Sequence, residues 1–334
     1  MSGPLVSVAM ITYNQVKYIA AAIEGVLNQE VPFRYELVIG EDCSTDGTRE
    51  IVSAYQKNHP EIIRVITSDR NVGMVRNFFR TSRACTGAFL AFCEGDDYWH
   101  RRDKLHLQVQ YLESHADCGL VCSNHDVRDV NRGTVIRNFL TYKKWEIAET
   151  FKPSDWVSST TTVPILTVTV MLRRYLFENV ISADPFLYES GSLLMYDVQL
   201  WVEMAAVSKV GYIPESLATY NVSENSVTRQ KDIENVLRFT LSACEMGLYL
   251  CKKYGMAEDK RVERQQTLWT TSLELACHTR NRTLAEDIRR KMSRLRPIDW
   301  FRYYAAKSSV VYVSYMVLRV VKRVVVRKER KWYE

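Results

Sequence analysis

Short blocks of apolar residues alternate with polar turns over the first 125 residues of the chain. Five blocks are apolar and have strand length, the first of them rich in β-branched residues, whereas the segments between them place apolar residues at helical spacing. Strands separated by short helices indicate an α/β fold, with a mainly parallel sheet covered by helices on both faces. The predicted strands are Leu5–Ile11, Tyr35–Gly40, Ile62–Thr67, Ala88–Cys93 and Gly119–Ser123, and the predicted helices are Lys17–Asn28, Met74–Ala84, Lys104–Ser114 and one that begins after Thr48 and ends near Pro60.

The pattern is less regular beyond residue 126, and long helices dominate the last third of the chain. The features predicted there are an irregular stretch 127–160, a strand Thr167–Leu172, a helix Asp197–Val207 and a helical segment 231–296. The expected organisation is a body of residues 1–228 with halves 1–126 and 127–228, a helical region 229–300 and a tail 301–334.

Charge is concentrated in the tail. The chain has a formal net charge of +6, but residues 301–334 alone carry +7, which leaves the rest near neutrality. Residues 308–318 are uncharged, and as a helix the following valines share one face and most of the basic residues the other. Such a helix can lie on an anionic bilayer, so we expect peripheral membrane contact through residues 308–334. Packing on the body or on a second subunit, as in a homo-oligomer, stays open.

The remaining composition narrows the class of protein. None of the eight cysteines forms a C-x-x-C pair, and the one Cys/His cluster (His115, Cys118, Cys122 and His125) spans a predicted buried strand, so we expect reduced thiols and no zinc. No basic residue precedes Leu5–Ile11, and no apolar run approaches 20 residues, so neither a signal peptide nor a spanning helix is expected. The predicted location is cytoplasmic, on the inner face of the membrane. Nucleic-acid binding is not expected, because the excess of basic residues lies in one apolar tail rather than across a surface interleaved with aromatic residues.

Acidic residues gather where the predicted strands end. Glu41, Asp42 and Asp46 follow the second strand, Glu94, Asp96 and Asp97 follow the fourth, and Asp197 opens a helix. Ligands of parallel sheets bind at this edge, and neighbouring carboxylates need a counter-charge such as a divalent cation with phosphate oxygens. Turn and cap roles explain Ser44 and Gly47 well, but they explain two adjacent acids poorly.

Three motifs in order carry a resemblance. Thr12-Tyr13-Asn14, then Glu41-Asp42-Cys-Ser-Thr-Asp46-Gly-Thr, then Glu94-Gly-Asp96-Asp97-Tyr-Trp resemble the family 2 inverting glycosyltransferases with the GT-A fold. The chain is similar in particular to bacterial members that build lipopolysaccharide, capsule and related surface glycans. Order and spacing agree over residues 5–126 and more weakly to about residue 228. The resemblance implies a nucleotide-sugar half, 1–126, and an acceptor half, 127–228.

The resemblance also implies roles for single residues. The nucleotide-sugar site would contain Thr12, Tyr13, Asn14, Glu41, Asp42, Asp46, Arg70, Asn71, Asp96 and Asp97. Within it, Thr12 and Tyr13 would line the nucleoside pocket. Asp42 would accept a hydrogen bond from the base, which favours a UDP-linked donor.

Two further roles concern the reaction itself. Asp96 and Asp97 match the Asp-x-Asp metal motif for Mn²⁺ or Mg²⁺, with Glu94 at its first position and Asp96 the expected direct ligand. Asp197 matches the general base, although Tyr196 stands where the family has an acid. The family often has an Arg/His-containing loop after the base helix. Residues 218–223, read here as that loop, contain no His, so a further metal ligand is not expected there, while Arg229 could cover the diphosphate.

The sequence thus predicts a metal-assisted inverting transfer from a nucleoside-diphosphate sugar to a hydroxyl of a glycan or polyprenyl-linked acceptor. Two alternatives stay open at this point. A nucleotidyltransferase would usually show a Gly-rich phosphate loop near the first strand, but residues 11–18 contain no glycine. A catalytically inactive sugar-binding protein with the same fold would not need the intact Asp42, Asp96, Asp97 and Asp197.

Overall fold

The central element of the N-terminal part is a sheet that begins with the predicted strand β1. The computed structural model describes residues 3–145, 147, 165–223 and 232–326, with side chains up to residue 317. The strands in these residues are β1 (Val6–Thr12), β2 (Tyr35–Glu41), β3 (Ile63–Ile66), β4 (Phe89–Phe92), β5 (Tyr98–Trp99), β6 (Cys118–Asp129), β7 (Thr134–Ile136), β8 (Met171–Arg173) and β9 (Lys209–Val222). They form one sheet in the spatial order β3-β2-β1-β4-β8-β6-β9-β5, and β7 pairs with β6.

Helices connect these strands and cover the sheet. Those described in this part of the chain are α1 (Ile19–Leu27), α2 (Thr48–Asn58), α3 (Met74–Ala84), α4 (Lys104–Ser114), α5 (Phe139–Tyr142), α6 (Arg174–Ala183), α7 (Pro185–Tyr188) and α8 (Asp197–Val207). The predicted helices Met74–Ala84, Lys104–Ser114 and Asp197–Val207 have the predicted bounds.

The first half of the sheet is parallel, as predicted. β1 lies between β2 and β4, and its register with β2 runs from Val6 opposite Tyr35 to Thr12 opposite Glu41. Every residue of β1 is buried, because helices cover both faces of a parallel sheet. The carboxyl ends of β1, β2 and β4 therefore meet at one edge.

The second half of the sheet is mixed, which corrects two predictions. Thr167–Thr169 form a 3₁₀ turn, so the strand predicted at Thr167–Leu172 begins only at Met171 and runs antiparallel to β4 and β6. Residues 218–222, predicted as part of a loop, belong to β9, which is parallel to β6 and antiparallel to β5. Pro214 and Glu215 interrupt the apolar run of β9, and a register shift absorbs them where Ile213 pairs with Ser123 and Ser216 with Asn124.

The stretch 127–160 was predicted to be irregular. It contains the end of β6, the short strand β7 and helix α5. Residues 146 and 148–160 of this stretch lie outside the described residues.

Contacts divide the chain into two compact units, Met1–Arg229 and Gln230–Glu334. The division falls next to the predicted boundary at residue 228. The described residues of the second unit are helical, as predicted: α9 (Ile233–Lys253), α10 (Glu258–His278), α11 (Arg282–Lys291), α12 (Pro297–Lys307) and α13 (Ser309–Val326). None of the described helices is long and apolar enough to cross a membrane.

Helix α13 has two different faces over its first nine residues. Tyr315 is buried with Cys277 and Ala305, and Tyr312 and Met316 pack on the same cluster. The other face is open: Val310, Val313 and Val317 are 77%, 61% and 56% exposed. This part of α13 therefore packs on α10 and α12 of the second unit.

A lysine is buried in the core of the first unit. Lys104, the first residue of α4, is fully buried, and its ammonium donates to Gln108 Oε1 at 2.5 Å. It lies 4.2 Å from the centre of the Trp99 ring. Burial lowers the pKa of Lys104 to about 7, while the neighbouring Cys93 and Cys122 act to raise it.

This burial predicts a pH dependence of stability. Between pH 7 and 9 the unfolded chain keeps the Lys104 proton and the folded chain releases it, so the free energy of unfolding rises with pH through this group. The free energy of unfolding should therefore rise with pH more in wild type than in Lys104→Met, by up to about 1.4 kcal/mol per pH unit. Urea unfolding at pH 7, 8 and 9 measures it, with Lys57→Met as a control at an exposed lysine of α2. Equal slopes for wild type and Lys104→Met would contradict the prediction.

Candidate active site

The two acidic turns lie on either side of the end of β1. The Asp42 N–H donates to the Thr12 carbonyl at 3.1 Å, and the Gly95 N–H donates to the Ile11 carbonyl at 3.0 Å. Gly95 has no room for a side chain, because a Cβ would lie 2.5 Å from Gln15 Oε1 and 2.9 Å from Thr12 Oγ1. Glycine thus allows the turn after β4 to approach β1.

Side chains of the first acidic turn hold the surrounding loops. Glu41, which is fully buried, accepts from the Ser44 N–H at 2.6 Å and pairs with Arg49 at 2.5 Å. Asn14 accepts at Oδ1 from the Thr45 N–H at 2.8 Å, and its own N–H donates to Ser44 Oγ. These two side chains therefore fix the β1 and β2 turns against each other.

Asp46 has a similar structural role. Its carboxylate accepts from the Val16 N–H at 3.0 Å and from both the N–H and the hydroxyl of Thr48 at the start of α2. Partial burial acts to raise the pKa of Asp46, but these hydrogen bonds prevail and lower it. The negative charge of Asp46 thus stabilises the folded state.

Asp42 organises the loop that contains Arg70 and Asn71. It is 2% exposed and accepts from the N–H groups of Val72 at 2.9 Å and Gly73 at 3.0 Å. Asn71 Nδ2 donates to the Asp42 carbonyl at 3.3 Å, and Arg70 is exposed. All these residues border one edge of the sheet with Thr12, which is buried, and Tyr13, which is 45% exposed.

The second acidic turn lacks comparable compensation. Burial, then the charge of Asp96, raises the pKa of Glu94 to about 8, with a further rise from Asp197. Burial raises the pKa of Asp96, and burial with the charges of Asp96 and Glu94 raises the pKa of Asp97 well above its ordinary value. Carboxylates that are ionised here destabilise the fold unless a positive charge joins them.

Asn221 fixes this turn, and sequence reasoning missed it. From β9 its N–H donates to Asp97 Oδ1 at 2.8 Å, and its Nδ2 donates to the Asp96 carbonyl at 2.6 Å. The resemblance predicts a loop at residues 218–223, and the only role weighed there is a metal-ligating His, which the segment lacks. The run of strand-forming residues Leu217–Val222 was the signal that could have indicated a strand.

Asp197 lies beside the same turn. It is the first residue of α8, its Oδ1 accepts from the Val198 N–H at 2.9 Å, and burial raises its pKa. The preceding Tyr196 donates its hydroxyl to Glu94 Oε1. The structure therefore brings Asp197 near Glu94 of this turn, while Arg229 lies outside the described residues.

The donor atoms of the turn suit a hard cation. Besides the carboxylates, three uncharged oxygens beside the turn are buried without a hydrogen-bond partner among the described residues: Thr12 Oγ1, Gln15 Oε1 and Asn221 Oδ1. Within the described part of the chain no three His, Cys, Asp or Glu side chains could hold a metal ion by themselves, and this includes the cluster His115–His125. A cation at Asp96 would need oxygens from a bound molecule.

Comparisons with known proteins agree with this geometry. The family model named Glycosyl transferase family 2 matches residues 7–180. An uncharacterised protein of Mycobacterium tuberculosis is 31% identical over 222 residues, which are 64% of this chain and 58% of that protein. TuaG of Bacillus subtilis, a protein named for a glycosyltransferase role in teichuronic acid biosynthesis, is 28% identical over 235 residues, which are 68% of this chain and 83% of that protein. The chain thus spans little more than half the length of the mycobacterial relative.

A solved structure has the same fold. The mannosyltransferase PcManGT from Pyrobaculum calidifontis, in complex with GDP-Man and Mn²⁺, superposes with a TM-score of 0.54 at 16% identity, over 97% of this chain and 88% of that chain. At this identity the similarity concerns the fold alone. It confirms the predicted α/β fold of the GT-A type.

Removing the charge of Asp96 and removing that of Asp46 should have opposite effects on thermal stability. In a buffer with EDTA, Asp96→Asn should raise the melting temperature, because it removes a charge that the fold disfavours. Asp46→Asn should lower it, because three hydrogen bonds favour that charge. We expect shifts of about 2–4 °C, or about 1 kcal/mol in a domain of this size. Differential scanning fluorimetry measures them, and a lower melting temperature for Asp96→Asn would contradict the assignment of a repelling cluster.

Proposed function

Because the chain belongs to glycosyl transferase family 2, we propose that it transfers a sugar from a nucleoside-diphosphate sugar to a hydroxyl of a glycan or lipid-linked glycan acceptor, with inversion. The family was predicted from three motifs and is confirmed. The main support for the finer proposal is that the start of α8, which contains Asp197, lies beside the acidic turn at the carboxyl end of β4. The TuaG relative, named for teichuronic acid biosynthesis, supports a role in surface polysaccharide synthesis.

The donor site is proposed at the edge formed by the ends of β1 and β2. Thr12 and Tyr13 would line the nucleoside pocket, with the loop of Arg70 and Asn71 on its border. Asp42 would accept the N–H of a uracil or thymine base, which favours a UDP-linked donor. Its carboxylate already accepts from the N–H groups of Val72 and Gly73 and from Ser68 Oγ, and it pairs with Arg80 at 3.6 Å, so one of about four acceptor sites remains for the base.

The same geometry assigns Glu41, Asn14 and Asp46 to the loops that shape the donor site. Their side-chain oxygens accept hydrogen bonds from Ser44, Thr45, Val16 and Thr48. Rigid loops of this kind place the residues that touch the ligand before it arrives.

Asp96 is the proposed direct ligand of a Mn²⁺ or Mg²⁺ ion, completed by oxygens of the diphosphate. When bound, the cation would stabilise the negative charge of the departing diphosphate. Asp97 has one oxygen held by the Asn221 N–H, and its other oxygen would ligate the cation or orient the ribose and the sugar. The Mn²⁺ in the mannosyltransferase complex supports a divalent ion for this fold.

Asp197 is the proposed general base. It would accept the proton of the acceptor hydroxyl as that oxygen attacks the anomeric carbon from the side opposite the diphosphate. Burial raises the pKa of Asp197, which makes it a stronger proton acceptor than an exposed aspartate while it remains ionised.

Purified protein with a panel of nucleotide sugars and glycan acceptors, with Mn²⁺ or with EDTA, tests this function. A glycosyltransferase releases nucleoside diphosphate in step with glycosylated acceptor. A nucleotidyltransferase would instead release pyrophosphate from a nucleoside triphosphate and a sugar phosphate. A sugar-binding protein without activity would bind a donor and release nothing.

Asp197→Asn should leave donor binding unchanged and lower kcat by about 10²–10⁴-fold, because the amide keeps the hydrogen bond to Val198 but cannot accept the proton. Calorimetry of donor binding and steady-state kinetics measure the two effects. Asp232→Asn, at the aspartate that caps α9, is the matched control and should keep full activity. Turnover near the wild-type rate in Asp197→Asn would assign the base to another residue.

We also propose that α13 places the enzyme on the inner face of an anionic membrane. Its open face carries Val310, Val313 and Val317, and residues 301–334 carry +7. The packed face of the same helix means that one side is held by the second unit while the other stays free for lipid. Each basic residue near an anionic surface contributes about 1 kcal/mol.

A triple variant in which Val310, Val313 and Val317 are each changed to Glu should no longer cosediment with phosphatidylglycerol vesicles. Its activity on a water-soluble acceptor should stay intact. High salt should weaken wild-type binding, because the attraction is electrostatic. The matched control replaces three exposed valines elsewhere, Val207, Val236 and Val262, with Glu. Equal loss in the control, or no vesicle binding by wild type at low salt, would contradict the membrane proposal.

A further inference from the structure

One hydrogen bond joins two of the positions at which this chain departs from the pattern of the family. Glu94 stands at the first position of the metal motif, and Tyr196 stands where an acid precedes the base. In the structure the Tyr196 hydroxyl donates to Glu94 Oε1. The contact crosses 102 residues of sequence and connects the turn after β4 with the start of α8.

The Tyr196 ring is held rigidly on the other side. It is 4% exposed and stacks on Phe78 of α3, with ring centres 4.0 Å apart and an interplanar angle of 19°. Phe78 in turn stacks on Phe92, the last residue of β4, with centres 5.2 Å apart. Phe92 also packs edge-on against Trp201 of α8, at 6.0 Å.

This stack limits where the hydroxyl can go. A tyrosine ring has few free torsions, and here one face lies on Phe78, so the oxygen is directed at Glu94. Phe92 belongs to the strand that leads into the acidic turn, and Trp201 belongs to the helix that Asp197 opens. Two separate contacts therefore connect β4 and its turn with the start of α8: the hydrogen bond of Tyr196 to Glu94 and the packing of Phe92 on Trp201.

We propose that Tyr196 is a positioning residue, whose hydrogen bond to Glu94 sets the distance between Asp197 and the Asp96–Asp97 turn. The proposal rests on the function proposed above. Asp197 is the next residue in the chain, about 3.8 Å away by Cα, so a shift of Tyr196 moves the carboxylate with it. A displacement of about 1 Å can lower a rate about 10²-fold.

A buried tyrosine that only fills the core would behave differently. Such a residue contributes through its ring, and Tyr196→Phe keeps the ring and its stack on Phe78. Loss of the hydroxyl would then leave the start of α8 and the rate of transfer unchanged. The hydroxyl is thus the atom that separates the two roles.

The first test is kinetic. Tyr196→Phe should lower kcat about 10–100-fold and leave KM for the donor within about twofold, since the residues proposed to bind the donor keep their own side chains. Tyr188→Phe removes the same atom from another buried tyrosine, which packs edge-on against Phe79, and should keep the wild-type kcat. An unchanged kcat in Tyr196→Phe, or a loss that lies in KM alone, overturns the proposal.

The second test does not depend on activity. Hydrogen–deuterium exchange at the first turn of α8 should be faster in Tyr196→Phe than in wild type, whereas exchange in β4 should be unchanged. Glu94→Ala removes the acceptor and should show the same increase. Glu94→Gln keeps a carbonyl oxygen to accept the bond and should retain wild-type exchange. Unchanged exchange in both Tyr196→Phe and Glu94→Ala overturns the proposal.

The two tests also separate this proposal from the proposed function. If wild type transfers no sugar from any donor, the proposed function fails, and the exchange measurement still decides whether Tyr196 positions α8. If wild type is active and the exchange is unchanged, the function stands and the positioning role fails.

Discussion

Crowding of carboxylates at one edge of the sheet is the constraint on which the site depends. Two unit charges 4 Å apart repel by about 4 kcal/mol at an effective dielectric constant of about 20. The parallel order of β2, β1 and β4 brings acids from distant parts of the sequence to that edge. Hydrogen bonds from N–H and hydroxyl groups and the Arg49 guanidinium compensate Glu41 and Asp46, whereas burial raises the pKa values of Glu94, Asp96 and Asp97.

The acidic residues at this edge therefore differ in how far hydrogen bonds and cations of the protein compensate their charges. Glu41 and Asp46 have their oxygens engaged by backbone N–H groups, a hydroxyl and Arg49. Glu94, Asp96 and Asp97 are kept near one another with less compensation, and their pKa values are raised. The resemblance implies a nucleotide-sugar site that includes Glu41, Asp46, Asp96 and Asp97, with Glu94 at the first position of the metal motif. The hydrogen bonds of Glu41 and Asp46 show that these two side chains also hold the loops around them.

Sequence reasoning found the parts of the site that local pattern encodes. β1, β2 and β4 are continuous apolar runs, so their ends could be located, and with them Thr12, Asp42 and the acidic turn. Asn221 could not be found in this way, because its importance arises from pairing between β9 and β5 across more than 100 residues. Tyr196 was noted only as a missing acid, since its hydrogen bond depends on a rotamer that the aromatic stack selects.

The irregularity in β9 has a consequence for how this enzyme can vary among its relatives. Ile213 pairs with Ser123, but Ala218 pairs with His125, so three extra residues of β9 are absorbed within two steps of β6. Between Ala218 and Asn221 the pairing with β6 is regular, so the number of residues in this segment fixes the position of Asn221. A length change at Pro214 would fall outside this regular segment. One residue gained or lost between Ala218 and Asn221 would put a neighbour of Asn221 at the position from which the Asn221 N–H donates to Asp97, with its side chain on the other face of the sheet.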